Sequence, residues 1–183
     1  QTYAVGKNYD ERVNNFIREQ LAKGRQAYIV CPLVEEGKPE IKVDEKTGEQ
    51  YIDLKAVNTA NLKSVEKLTE DYKKILDGYN VVCLHGKMKS KEKDDIMEKF
   101  KNGEIDVLVS TTVIEVGVDV PNSSLMVIEN SERFGLAQLH QLRGRVGRGE
   151  YESFCILKYE SSNDIVRQRL ELMVKSDDGF KIA

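Results

Sequence analysis

The feature that most constrains the fold of this chain is a repeated order of amphipathic helix, glycine and short apolar strand. Apolar residues recur at helical spacing before Gly24, Gly78 and Gly103, and the runs QAYIVCP, VVCLH and IDVLVS follow these glycines. A glycine after the last helical turn supplies the left-handed backbone conformation that other residues resist. Two more apolar runs, SLMVIE and SFCILKY, flank a helix predicted to begin near Leu136, and a last amphipathic helix follows.

These strand-like runs are apolar throughout rather than alternating, which is typical of strands that are covered on both faces. Strand and helix in alternation predict an α/β fold, a doubly wound and mainly parallel sheet with helices on both faces. We expect one domain over residues 1–183. Ligands of such sheets bind beyond the carboxyl ends of the strands, so function is to be sought in the loops that follow them.

Residues 35–61 break this order, because they are polar and only weakly periodic. One interpretation is a small hairpin that turns around Thr47 and Gly48, and the other is a mobile loop. In both cases we expect an insertion into the domain that forms solvated surface.

Composition agrees with a soluble, globular domain. Hydrophobic residues make up 40% of the chain and charged residues 32%, and no apolar run approaches the ~20 residues of a membrane helix. Cys31, Cys83 and Cys155 are odd in number and each lies in an apolar run, which favours buried, reduced thiols and a cytosolic protein. The net charge of −3 says nothing about a nucleic-acid partner, since a basic surface could be local.

The run VVCL leads into HGKMKSKEKDD, in which Gly86 permits a tight exit from the strand. Ser90 is the expected N-cap of a helix over residues 91–102. The N-terminus of that helix, with Lys87 beside it, could hold a phosphate. A solvated, capped loop explains the same residues without a ligand.

The run IDVLV leads into STTVIEVGVDVPN. Ser110, Thr111 and Thr112 end a strand where hydroxyl groups and backbone amides could contact phosphate oxygens. Gly117 permits a tight turn, and Asp119 stands among apolar neighbours, where a carboxylate needs hydrogen-bond donors. Asp119 is therefore either a structural staple of the loop or a ligand for hydroxyl groups.

The stretch QLHQLRGRVGRGEYESFC, residues 138–155, concentrates arginine and glycine in a mildly acidic chain. A helix that carries Gln141 and Arg145 and runs into RVGRG would place Arg145 and Arg148 one turn apart. Arginine offers a planar fork of donors that suits phosphate, and the glycines leave the backbone open to a bulky anion. The alternative is a surface turn whose arginines pair with Asp and Glu.

Taken in their order along the chain, these segments resemble a known family. STTVIEVGVDVP resembles motif V and QLRGRVGR matches motif VI of superfamily 2 helicases, and with LHGKM they resemble the second of two RecA-like motor domains. QAYIVCPLVEE, MVIENSERFGLAQLHQLRGRVGRG and the closing DGFKIA look like the RecG family. The transcription-repair coupling factors share ERFGLAQLHQLRGRVGR but usually lack VCPLVEE, so they rank second.

The resemblance implies roles for individual residues. Arg145 and Arg148 would act as arginine fingers on the γ-phosphate of ATP, and further residues would line the nucleotide: Gln141, Gly117 and Asp119. Contacts to the DNA backbone would come from Gly86, Lys87, Ser110, Thr111 and Thr112. ATP and Mg²⁺ would be bound mainly by the first motor domain, which would be the partner of this one together with branched double-stranded and single-stranded DNA.

The family implies an ATP-dependent DNA helicase of the bacterial cytosol, associated with the nucleoid, that remodels stalled replication forks and recombination junctions. The chain contains no G-x-x-x-x-G-K-[ST] phosphate loop and no D-E-x-H-like box. We therefore expect a fragment that holds half an active site and is inactive alone. The alternatives are a transcription-repair coupling translocase and a non-catalytic module that binds nucleic acid.

Overall fold

A six-stranded parallel sheet forms the centre of the computed structural model, which describes residues 1–32, 40–53, 55–85, 88–111, 120, 122–144, 146, 151–160 and 163–175. In spatial order its strands are β1 (Thr2–Gly6), β8 (Phe154–Tyr159), β7 (Ser123–Ile128), β2 (Gln26–Cys31), β6 (Val107–Thr111) and β5 (Val81–Leu84). Every neighbouring pair is parallel. The predicted α/β class with a parallel sheet is therefore confirmed.

Five helices cover the two faces of this sheet within the described residues. They are α1 (Asp10–Ala22), α2 (Lys55–Ile75), α3 (Ser90–Lys101), α4 (Leu136–Arg143) and α5 (Asp164–Lys175). Alternate residues of β2 point to opposite faces: Ile29 packs with the buried residues of α1 and α2, and Val30 packs with those of α3, α4 and α5. Each face thus has its own hydrophobic core, which is why the strands are apolar throughout.

The glycine signals mark helix ends as predicted. Gly24, Gly78 and Gly103 follow α1, α2 and α3 with φ of +84°, +92° and +83°. The prediction for the start of α3 is off by one residue, because the helix includes Ser90 and its N-cap is Lys89, without a side-chain capping bond. Strand β1 was not predicted, because its five residues lack the continuous apolar run of the other strands; it is an edge strand beside β8.

Part of the polar segment folds as an antiparallel hairpin. Strands β3 (Glu40–Val43) and β4 (Gln50–Asp53) form a separate two-stranded sheet, with Gly48 at φ +72° in the turn between them. Of the two interpretations of this segment, hairpin or mobile loop, the structure thus shows the hairpin. Helix α2 begins at Lys55, so residues 55–61 belong to a helix rather than to the insertion that the sequence suggests.

The described helices include none that is both long and apolar enough to cross a membrane.

Candidate functional site

Helix α4 carries the described part of the arginine-rich motif. Gly135 precedes the helix, and its N–H donates to Oε1 of Gln138 at 3.4 Å. Leu139 and Leu142 are buried against the sheet, so the opposite side of the helix faces solvent. Gln141 lies on that exposed side and is therefore open to a ligand.

Helix α4 ends at Arg143, two residues before Arg145. The prediction of a helix that carries both Gln141 and Arg145 is therefore wrong, because the helix is shorter than the apolar pattern suggests. Arg145 and Arg148 themselves lie outside the described residues.

Arg143 fixes the end of α4. Its Nη1 donates to the carbonyl oxygen of Met173 in α5 at 2.8 Å and lies 3.5 Å from Oγ1 of Thr2, the first residue of β1. Its Nη2 lies 3.2 Å from Nδ1 of His140, one helical turn earlier. A cavity of about 250 Å³ adjoins this point, and its lining includes Arg143 and Gly144.

These contacts place the end of α4 at the amino ends of β1 and β8. The connection that leads into α4 starts at the carboxyl ends of the strands, since Ser131, five residues before the helix, donates its Oγ to the carbonyl oxygen of Lys158 near the end of β8. The segment from Ser131 to Arg143 therefore runs from the carboxyl ends of the strands to their amino ends. The sequence predicts a site at the carboxyl ends of the strands, whereas this end of α4 lies at the amino ends of β1 and β8.

At the carboxyl end of β6 the predicted DNA-binding hydroxyl groups are buried. Ser110 is 1% exposed and Thr111 is 6% exposed. Oγ of Ser110 has no hydrogen-bond partner among the described residues. The other predicted site residues on the loops lie outside the described residues: Gly86, Lys87, Thr112, Gly117 and Asp119.

A polar network that the sequence did not reveal lies at the carboxyl ends of β7 and β8. Oε1 of Glu129 accepts from the hydroxyl group of Tyr72 at 2.6 Å and pairs with Nζ of Lys158 at 3.1 Å. Lys158 also pairs with Asp10 at 3.2 Å, so the network joins α1, α2, β7 and β8. Glu129 opens the connection to α4, and the network therefore fixes where that connection starts. The only signal in the sequence is a carboxylate at the end of an apolar run.

The cysteines are free thiols; Cys31 and Cys155 are buried as predicted, whereas Cys83 is only partly buried. Burial raises the pKa of Cys31 to about 12 and the pKa of Cys155 to about 12. Both thiols are therefore mainly protonated at neutral pH, the form that is a poor nucleophile. The described part of the chain contains no group of three or more His, Cys, Asp or Glu residues placed to hold a metal ion.

Arg25 is a further arginine whose role the sequence did not reveal. It lies at the amino edge of the sheet, the side at which the parallel strands begin; the carboxyl edge is the side at which they end. It contacts both Asn122 at the start of β7 and Tyr151 before β8. These are the ends of the two segments that carry motifs V and VI.

Comparison with known proteins places these features in a family. The family model described as "Helicase conserved C-terminal domain" matches residues 10–150. The chain belongs to this family. It is 42% identical to the ATP-dependent DNA helicase RecG of Bacillus subtilis over 184 residues, which cover 100% of the chain and 24% of that protein. It is 47% identical to RecG of Synechocystis over 167 residues, which cover 91% of the chain and 18% of that protein.

Solved structures agree with this assignment. The structure of RecG bound to a three-way DNA junction matches with 40% identity and a TM-score of 0.77, over 100% of this chain and 21% of that one. The C-terminal domain of the DEAD-box protein Dbp5 matches over 97% of this chain and 86% of that one at 20% identity and a TM-score of 0.54, which shows the fold alone. The chain thus corresponds to the C-terminal helicase domain of RecG, as the motifs indicate, and spans less than a quarter of the length of the curated relatives named above.

Proposed function

We propose that this chain is the second motor domain of an ATP-dependent DNA helicase that remodels stalled replication forks and branched recombination junctions in the bacterial cytosol, at the nucleoid. The observation that carries the proposal is the similarity of the whole chain to RecG, including a RecG structure with a three-way DNA junction. The described geometry around α4 supports the specific roles that follow.

The proposed catalytic contribution is made by Arg145 and Arg148. The transferred γ-phosphoryl group carries charge on its oxygens in the transition state, and positioned arginines stabilise that charge. Arg145 and Arg148 lie two and five residues beyond the end of α4 in the sequence, and Arg143 holds that end against α5 and β1. A firmly held helix end suits this role, because fingers act through their position.

Gly144 supports the approach of a ligand to this helix end. Its φ is −66°, a conformation that every residue adopts, so the backbone does not require glycine there. A Cβ atom would meet the carbonyl oxygen of Gln141 at 3.4 Å, which is ordinary contact. The described residues therefore do not require a glycine at this position, and the absence of a side chain beside exposed Gln141 fits the approach of a triphosphate.

The nucleotide site would be completed by Gly117 and Asp119 of this chain and by the first motor domain. That domain would hold ATP and Mg²⁺, since the sequence of this chain has no phosphate loop. This chain's own residues would close over the nucleotide, orient its terminal phosphate and open again after hydrolysis. Because this chain would supply only half of the nucleotide site, we expect it to hydrolyse no ATP by itself.

The proposed DNA contacts lie at the carboxyl ends of β5 and β6. Gly86, Lys87 and Thr112 would contact the phosphate backbone there. Because the side chains of Ser110 and Thr111 are buried, their contribution would be to hold the strand end from which the DNA-binding loop leaves. Contacts to phosphates carry no sequence information, which suits movement along any DNA.

The test is the DNA-stimulated ATPase activity of the full-length gene product with Arg148→Ala. We expect turnover to fall by about 10³-fold or more while ATP binding, measured separately, persists. Arg167→Ala, on the exposed side of α5, is the matched control and should keep full turnover. Undiminished turnover in Arg148→Ala would refute the finger role, and a wild-type protein without ATPase activity would favour a non-catalytic binding module.

A further inference from the structure

We infer that Arg25 is a positioning residue for the nucleotide site. Its guanidinium group holds together the ends of the two chain segments that carry the proposed nucleotide contacts. The inference rests on the proposed function for the role of those segments. The contacts of Arg25 lie within the described residues.

The two segments end side by side at the amino edge of the sheet. The segment with Gly117 and Asp119 leads to Asn122, and the segment with Arg145 and Arg148 leads to Tyr151. Nη1 of Arg25 donates to Oδ1 of Asn122 at 2.7 Å. The guanidinium carbon of the same side chain lies 3.3 Å from the centroid of the Tyr151 ring. One side chain thus contacts both segment ends.

Asn122 is fixed on several sides. Its Nδ2 donates to the carbonyl oxygen of Gly24 at 2.8 Å and to Oε1 of Gln26 at 3.2 Å. The N–H of Gln26 donates to the carbonyl oxygen of Asn122 at 3.0 Å. Gln26 is itself 3% exposed and donates its Nε2 to the carbonyl oxygen of Ile105 at 2.8 Å. The end of the first segment is therefore hydrogen-bonded to the start of β2, and Arg25 connects this rigid point to Tyr151.

Tyr151 is held differently. It is 47% exposed, so burial in the core contributes little to its position. Stacking on Arg25 ties this exposed ring to the rigid point at Asn122. The second segment is also held at its start, where Arg143 bonds to Met173 and Thr2. The proposed finger segment is thus anchored by an arginine at each end.

The chemistry of the contact requires arginine and an aromatic ring. A guanidinium group is planar, so it can donate a hydrogen bond in its plane while its face stacks on a ring. A lysine ammonium group offers no such plane and cannot make both contacts in this geometry. The ring, and not the phenolic hydroxyl group, is what Tyr151 contributes. Phenylalanine should therefore replace Tyr151 without loss.

Loss of the Arg25 contact should change catalysis rather than ATP binding, because Asn122, at the end of the segment with Gly117 and Asp119, keeps its other hydrogen bonds. If the fingers act through their position, a displacement of about 1 Å can reduce turnover by up to about 10²-fold. We expect Arg25→Ala and Tyr151→Ala to lower kcat by about tenfold or more, with the KM for ATP within about twofold of wild type. Because both changes lie at the surface edge of the domain, the thermal midpoint should move by only a few degrees.

The experiment measures kcat and the KM for ATP of the full-length gene product in DNA-stimulated turnover. The variants are Arg25→Ala, Arg25→Lys, Tyr151→Ala and Tyr151→Phe. The matched control is Arg12→Ala, which removes another arginine placed over a tyrosine ring, that of Tyr9, at 5.6 Å. We expect turnover to be lost in the first three variants and kept in Tyr151→Phe and Arg12→Ala.

A triple variant shows whether Arg25 acts through the fingers. Adding Arg25→Ala to the double variant Arg145→Ala/Arg148→Ala should cause no further loss, because neither finger is left to position. Turnover within twofold of wild type in both Arg25→Ala and Tyr151→Ala overturns the inference, and so does full rescue by Arg25→Lys. An equal loss in kcat and in ATP binding, with a large drop in thermal midpoint, also overturns it in favour of a folding role.

The inference and the proposed function fail in different ways. If Arg148→Ala retains turnover, the proposed finger role is wrong whatever Arg25 does. If Arg148→Ala loses turnover while Arg25→Ala and Tyr151→Ala retain it, the fingers stand and the positioning role of Arg25 is wrong. Should Arg25→Ala fail to fold, Tyr151→Ala at its exposed position decides the question.

Discussion

Replacing Tyr72 by phenylalanine tests the polar network that fixes the start of the connection to α4. The hydroxyl group of Tyr72 donates to Oε1 of Glu129 at 2.6 Å, and Tyr72 is 2% exposed. Glu129 is largely buried beside it and keeps Nζ of Lys158 at 3.1 Å as its other donor. Removing the hydroxyl group leaves a carboxylate oxygen with one donor fewer at a place where the aromatic ring excludes water.

The magnitude follows from these contacts. A hydrogen bond to a charged group contributes about 1.5–3 kcal/mol, and the remaining ion pair with Lys158 limits the loss. We expect the free energy of unfolding to fall by about 2 kcal/mol. For a domain of this size that corresponds to a decrease of about 4–8 °C in Tm.

The assay is urea and thermal unfolding of the 183-residue chain followed by circular dichroism. Tyr79→Phe is the matched control, since Tyr79 is only partly buried and no hydrogen bond of its hydroxyl group is found among the described residues. The combination of Tyr72→Phe with Glu129→Gln should cost less than the sum of the single changes, because both remove the same bond. A loss below about 0.5 kcal/mol in Tyr72→Phe would refute the view that this hydrogen bond holds the network together.

Two further outcomes follow from the fold and from the buried thiols. Replacing residues 40–53 by a short glycine–serine linker should change Tm by less than about 2 °C, because β3 and β4 form a sheet of their own and loop length has little effect on stability; a decrease above about 5 °C would show that the hairpin supports the core. Burial raises the pKa of Cys31 and of Cys155 from 9.0 to about 12, so the unfolded chain ionises first and the stability that is fully present below pH 9 is lost as pH rises toward 12. The urea midpoint should therefore fall between pH 9 and pH 10.5 and fall less in Cys155→Ala, and a flat midpoint over that range in the wild-type chain contradicts the burial argument.

The sequence predicted the main elements of this fold because the signals for them are local. Buried parallel strands must be apolar on both faces, and Gly24, Gly78 and Gly103 each end a helix with positive φ. Strand β1 was not predicted because it lacks these local signals. Edge strands need only partial burial, and TYAVG lacks the continuous apolar run that marked the others.

The candidate site was predictable in its residue types and not in its geometry. The motif identified Gln141, which the structure exposes, but the end of α4 at Arg143 depends on contacts that no local pattern encodes. Those contacts join residues that are far apart in sequence, from Thr2 to Met173. Burial of Ser110 and Thr111 likewise results from neighbouring strands and helices, and three hydroxyl residues in a row do not show it.

The placement of α4 explains why the sequence predicts a site at the carboxyl ends of the strands, whereas the contacts that hold the end of α4 lie at their amino ends. The connection to α4 starts after β7 at the carboxyl edge, where the Glu129 network lies, and α4 ends at the amino edge, where Arg143 and Arg25 lie. The proposed finger segment leaves from the end of α4 at the amino edge, so its position depends on the contacts of Arg143 and Arg25 there more than on the Glu129 network at the other edge. The Tyr72 and Arg25 variants act on opposite ends of this arrangement. If the arrangement governs the proposed fingers, Tyr72→Phe should lower stability with little effect on turnover near room temperature, whereas Arg25→Ala should lower turnover with little effect on stability.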